Sequence, residues 1–140
     1  MPTLEDVRTR YPGAVGFKFG DGPELSAALV ALVREGKKTA TCGALRDYPG
    51  GDPEMPVVGR YDVVQAWDGT PELVIQTVKV FTSRFDAVTE DFALAEGENE
   101  TRDGWAADHR AYFERNGGWS ADMMLLCERF RVVEDLRISD

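Results

Sequence analysis

Residues 36–42 read Gly-Lys-Lys-Thr-Ala-Thr-Cys, directly after a stretch with helical periodicity. From Lys38 to Cys42 the chain sets out an amine, two hydroxyls and a thiol. Loops at helix ends are where rigid scaffolds present reactive groups. Lys38 is a candidate base if burial in a dry pocket favours loss of its proton. Thr41 is a candidate nucleophile if a neighbour removes its hydroxyl proton. With a group to stabilise an oxyanion, the pair would suit amide hydrolysis. One geometric condition applies: in a straight strand, positions 38 and 41 face opposite ways, so they meet only across a bend, bulge or loop. A purely structural reading stands beside this one. A lysine after a capping glycine complements the helix dipole, and threonines at 39 and 41 suit a strand. Cys42 reads as a buried, inert thiol before it reads as a nucleophile.

Other candidates are scattered along the chain. Glu128 alternates in phase with Leu126, Phe130 and Val132, so it points inward if 123–133 is a strand. A buried glutamate needs a partner, which makes Glu128 either a structural ion-pair member or a site carboxylate. Arg129 falls on the opposite face, toward solvent or a ligand at the rim. Tyr48 borders a loop rich in glycine and proline, where its ring could stack on a base. Trp67 and Trp119 offer the same chemistry, with packing the commoner role. His109 lies four residues after Trp105 and four before Phe113, which places it on a packed helical face.

These residues need elements to hold them. Thr3 and Asp6 resemble a capping box for a helix from Leu4 to Tyr11. Val15 to Phe19 reads as a short strand. Leu25, Leu29, Leu32 and Val33 repeat at helical spacing after Pro23, and Gly36 suits a left-handed stop. Residues 47–59 form a long loop, a possible lid or rim. Strands follow at Arg60–Trp67 and Glu72–Thr82, joined by a turn with Asp68-Gly69. The second is apolar on both faces, which reads as a central or barrel strand. Asp86 is placed to cap a helix holding Val88, Phe92 and Leu94. A further helix carries Trp105, His109, Tyr112 and Phe113 and stops at Gly117-Gly118. The mixed order predicts an α+β fold.

Bulk properties narrow the options. A chain of 140 residues, 43% hydrophobic and 29% charged, fits one soluble domain. The net charge of −9 argues against long duplex nucleic acid and favours a small ligand or a short single strand. No apolar run is long enough for a membrane span. The N-terminal Met-Pro-Thr-Leu-Glu-Asp lacks the features of a signal peptide, so the cytoplasm is the expected compartment. Cys42 and Cys127 are expected as free thiols. Two cysteines and one histidine are too few for a closed zinc site of the usual kind.

The Gly36-Lys-Lys38-Thr-Ala-Thr41-Cys segment, with its helix before and β-rich half after, resembles the ASCH domain family. Phe17-Lys-Phe-Gly-Asp21, Phe92-Ala-Leu-Ala-Glu-Gly-Glu98-Asn99, Ser120-Ala-Asp-Met123 and Cys127-Glu-Arg-Phe130 extend the match. The resemblance implies a single domain over 1–140 with a PUA-like β-barrel of mixed strands and flanking helices. It also implies a link to RNA. Some members resemble RNA-binding modules, some bacterial members are ribonucleases, and one group hydrolyses the amide of N4-acetylcytidine with a lysine, a threonine and a glutamate. Those three fall on Lys38, Thr41 and Glu98, as base, nucleophile and proton shuttle. The family pattern carries an arginine five residues after the lysine, where this chain has Gly43. The resemblance adds Ser120 as a site candidate, alongside Tyr48, Glu128 and Arg129 for substrate binding. Amide hydrolysis of an N4-acylated cytidine is the leading expectation. The alternatives are cleavage of single-stranded RNA and a non-catalytic nucleotide- or RNA-binding module. No cofactor is expected, apart from a divalent metal under the ribonuclease alternative. The expected partner is a nucleoside or short single-stranded RNA, without a membrane, on a monomer or homodimer.

Overall fold

Leu73, Val74 and Ile75 are apolar in succession, and all three are buried, because the strand that carries them is covered on both faces. The computed structural model describes residues 2–50 and 55–137. Its elements run α1 (Leu4–Arg10), β1 (Gly16–Phe17), α2 (Pro23–Arg34), β2 (Ala40–Ala44), β3 (Tyr61–Gln65), β4 (Pro71–Arg84), α3 (Glu90–Ala95), α4 (Arg102–Arg115) and β5 (Met124–Asp135). The five strands form one sheet in the order β1-β3-β4-β5-β2. Only β1 and β3 are parallel; the other pairs are antiparallel.

Three apolar clusters hold the layers together. Val7 of α1 packs with Val63, Val74 and Leu136 on one face of β3 and β4. Leu29, Val30 and Val33 of α2 meet Val64, Leu73, Ile75 and Phe130 on the other. Phe92 of α3 with Trp105 and Phe113 of α4 covers the back of β2 and β5 through Ala40, Leu125 and Cys127. Alternation along β5 therefore sends Leu125 and Cys127 toward α3 and α4, and Leu126, Glu128 and Phe130 the other way.

The α+β class, the central strand and Gly36 as a left-handed cap (φ 81°) agree with the sequence reading. So does the capping box of α1. Three expectations are corrected. The sheet is not closed into a barrel: among the described residues β1 and β2 are its free edges. A two-residue β1 and a five-residue β2 supply too little ladder to pair, and Phe17 and Thr41 instead line a common cavity, so the sheet curls without closing. Asp86 does not cap α3. It lies in a 3-10 turn and pairs with Arg84, while Thr89 accepts the Phe92 N–H at 3.2 Å. Val132 is 40% exposed rather than inward and buried like Phe130, although Phe130 to Val132 pair with Thr77 to Ile75 in unbroken register. Part of the expected lid loop, residues 51–54, lies outside the described residues. No helix among the described residues is long and apolar enough to cross a membrane.

Candidate functional site

The end of α2 aims Lys38. Gly36 turns left-handed, its N–H bonds the Val33 carbonyl (3.1 Å), and the Lys37 N–H reaches back to Leu32 (2.9 Å), the double bond of a Schellman stop. The chain then leaves the helix and meets the C-terminal end of α3. Thr39 N–H donates to the Ala95 carbonyl at 2.8 Å. Gly97 packs so closely on the Lys37 carbonyl that a Cβ there would sit 2.6 Å from its oxygen. Strand β2 starts only at Ala40, so residues 38 and 39 form the bend that lets Lys38 turn inward.

Lys38 is 2% exposed. Its ammonium donates to the Ala40 carbonyl (2.9 Å), the Glu96 carbonyl (3.4 Å) and Glu96 Oε1 (3.3 Å). All three N–H donors have acceptors. In this arrangement Lys38 is a donor and a fixed positive charge; a base role requires it to give up one of these bonds. The Phe19 ring lies 5.5 Å from the same nitrogen.

Glu96 is the hub of the buried network. Its second oxygen, Oε2, accepts from Trp105 Nε1 (2.7 Å) and Cys42 Sγ (3.3 Å), and lies 3.4 Å from His109 Nε2. Burial works against its charge, but the Lys38 ammonium and the His109 and Trp105 bonds outweigh this and hold its carboxyl down at about 2. His109 has its other nitrogen, Nδ1, 2.9 Å from the Trp105 carbonyl. Both ring nitrogens thus face acceptors, as an imidazolium requires. Burial lowers its proton affinity, yet the bond and charge of Glu96 raise it on balance. Burial pushes the Cys42 thiol well up, and the Glu96 charge adds to that.

Two contiguous cavities open from this network. One, of about 250 Å³, is bounded by Lys38, Thr41, Cys42, Glu96, Glu98 and His109. The other, of about 270 Å³, reaches Tyr48, Arg60, Asp62 and Glu128. They share Phe19, Thr41, Cys42, Tyr112 and Phe113 in their walls. Each is near the small end of ligand-binding cavities, and Phe19, Tyr112 and Phe113 give both of them aromatic walls. Burial raises the Glu98 carboxyl above its ordinary value, against the pull of Lys38 and His109. Glu128 is cross-strand from Thr41, so both point into the same space. Burial raises its carboxyl too, although Thr77 donates its hydroxyl at 2.6 Å.

The ASCH domain family model matches residues 16–134. The chain belongs to the ASCH domain family. An ASCH domain of Lactobacillus crispatus JV V101 is similar at 30% identity, with a TM-score of 0.79 over 94% of this chain and 86% of that one. A protein of Enterococcus faecalis V583, placed in a family of unknown function, is similar at 34% identity, with a TM-score of 0.77 over 85% of this chain and 76% of that one. A tyrosine-to-phenylalanine mutant of an ASCH protein from Zymomonas mobilis shares the fold at 12% identity, with a TM-score of 0.54 over 88% of this chain and 73% of that one. No functionally curated protein matches the chain.

Within this ASCH fold, Lys38, Thr41 and Glu98 converge on one cavity, and Tyr48 and Glu128 line its neighbour. Ser120 does not join them: it is exposed and donates to Asp122 at 2.9 Å. Arg129 lines neither cavity; it pairs with Asp91 at 2.8 Å and lies over the Phe92 ring, on the α3 face of β5. Trp67 carries Lys18 on its ring, and Trp119 packs under Arg110. Of the two acids in the Glu96-Gly-Glu98 run, it is Glu96, not the expected Glu98, that meets the Lys38 ammonium. The signal was present: Glu96 follows Phe92 by four residues, on the inward face of α3. The spacing of His109 predicts a packing role. His109 does stack on Trp105, with centroids 4.6 Å apart, but it also faces the Glu96 carboxylate.

Proposed function

We propose that this ASCH protein hydrolyses the exocyclic amide of an acylated pyrimidine nucleoside, with N4-acetylcytidine as the model substrate. The observation that carries this reading is the convergence of Lys38, Thr41 and Glu98 on one cavity beside Phe19, Tyr112 and Phe113. The aromatic walls would hold the base by stacking. The Thr41 hydroxyl attacks the acyl carbon, and Glu98, whose carboxylate burial makes a stronger base than an exposed one, takes the hydroxyl proton. Glu98 returns that proton to the departing cytosine amine as the C–N bond breaks. Water then cleaves the acyl-threonine ester, releasing the carboxylate and restoring Thr41. Lys38 contributes positive charge near the carbonyl oxygen as it becomes negative.

Two arginines at the cavities are already paired with carboxylates, which favours a neutral nucleoside over a polyanion. Arg115 pairs with Asp21 at 2.7 Å, and Arg60 pairs with Asp62 at 2.8 Å. The test is incubation of the purified chain with N4-acetylcytidine, monitored for cytidine and acetate, beside a labelled single-stranded RNA. Cytidine release that disappears in Thr41→Val and Glu98→Gln is the expected result. Intact nucleoside with cleaved RNA would replace this reading by the ribonuclease one, and binding of RNA without cleavage by the binding module.

A further inference from the structure

We propose that Cys42, Glu96 and His109 form a transition-metal site, with zinc its preferred ion and its open position facing the cavity. The three residues come from β2, the end of α3 and α4, yet Sγ, a carboxylate oxygen and a ring nitrogen all lie within 4.8 Å of one another. Zinc holds such donors at about 2.0–2.3 Å in a tetrahedron, which separates neighbouring donors by about 3.3–3.8 Å. Two of these edges are already in place: Glu96 Oε2 is 3.3 Å from Cys42 Sγ and 3.4 Å from His109 Nε2.

The surroundings are those of a ligand set. His109 Nδ1 lies 2.9 Å from the Trp105 carbonyl, which fixes the ring and leaves Nε2 as the ligand atom, the usual outer support of a metal-bound imidazole. Trp105 Nε1 steadies the carboxylate at Oε2, and Lys38 holds Oε1. One sulfur, one nitrogen and one oxygen suit zinc or a similar borderline ion, and not magnesium or calcium. All three ligands line the cavity wall, so a fourth position is open to it. Binding releases two protons to solvent, one from the Cys42 thiol and one from His109 Nε2, as the metal bonds form. The Lys38 charge opposes a second cation, so the affinity falls short of a closed all-cysteine site.

The assignment does not depend on the hydrolase reading, because its readout is binding rather than turnover. Chelator-treated whole protein is titrated with Zn²⁺ against a chromophoric chelator, then with Co²⁺ under a spectrophotometer. The expected result is one zinc per chain with a dissociation constant below about 10 µM, unaffected by millimolar Mg²⁺. Cobalt should give tetrahedral visible bands and a near-ultraviolet thiolate charge-transfer band. That band should survive Cys127→Ala and vanish in Cys42→Ser, and zinc should bind at least about tenfold more weakly in His109→Gln. The cobalt spectrum of the unaltered protein needs no variant to fold. Weaker or non-stoichiometric zinc binding, absence of the thiolate band, or a band that follows Cys127 would overturn the proposal.

Discussion

Replacing Glu96 by glutamine, in metal-free buffer with a chelator, tests the network at its centre. The carboxylate accepts from Lys38 on Oε1 and from Trp105 and Cys42 on Oε2, with His109 also facing Oε2. An amide has one acceptor and one NH₂ group. Either orientation turns that NH₂ toward groups that are themselves donors. Lys38, 2% exposed, then loses the carboxylate it touches. Breaking a buried pair in this way costs roughly 3–5 kcal/mol. At about 3 °C per kcal/mol for a domain of this size, the melting temperature should fall by roughly 10–15 °C. Lys38→Met should cost less, because Glu96 keeps the Trp105 and His109 donors. The double variant should cost less than the sum of the two, with a coupling of roughly 1–3 kcal/mol. Urea unfolding followed by circular dichroism measures all four proteins. A Glu96→Gln loss below about 1 kcal/mol, or strict additivity in the double variant, would refute the argument.

Three further outcomes are expected. Thr41→Val should leave stability within about 1 kcal/mol of the parent while deacylation falls more than about 100-fold, measured by thermal melts and initial rates. Gly97→Ala should cost more than about 2 kcal/mol, because φ is 84° and the new methyl meets the Lys37 carbonyl; Gly43→Ala, with Tyr48 atoms no closer than 3.5 Å, should stay within about 1 kcal/mol in the same unfolding assay. Glu128→Gln should be more stable than the parent at pH 8 and equal to it below about pH 4. Burial raises the Glu128 carboxyl in the folded state, so the native protein holds the proton longer than the unfolded chain. That contribution is fully present below the ordinary carboxylate value and is lost as pH rises through the raised one. Melting temperatures at the two pH values settle it, and a parent more stable than the variant at pH 8 would contradict it.

Local signals carried much of the fold. The cap of α1, the stop at Gly36 and the doubly covered β4 follow from rules acting within a few residues, and the structure obeys them. Closure of the sheet is not local. It depends on whether β1 and β2 are long enough to meet, and β1 ends at Phe17 while β2 starts only at Ala40, limits that a strand pattern does not record. The site divides along the same line. Lys38 and Thr41 stood out because they are five residues or fewer from a helix stop. The pairing of Lys38 with Glu96 is 58 residues apart in sequence, and the choice between Glu96 and Glu98 turns on one left-handed glycine between them. Gly97 ends α3 so that Glu96 faces inward and Glu98 only borders the cavity.

The position of Gly43 bears on how much room the site leaves beside Tyr48. Its Cβ vector points at the Tyr48 ring, at an ordinary contact distance of 3.5 Å. An arginine there, as the family pattern carries, would enter the cavity that Tyr48, Asp47 and Arg60 line. It would fill space and add a positive charge suited to a phosphate. Glycine leaves that space open, and the nearby Arg60 is already engaged with Asp62. The consequence for substrate choice is direct. Gly43→Arg should shift preference toward a phosphorylated nucleoside and weaken the neutral one. Competition between N4-acetylcytidine and its 5′-monophosphate would measure the shift. Equal preference before and after the substitution would mean that the phosphate end of the substrate lies elsewhere.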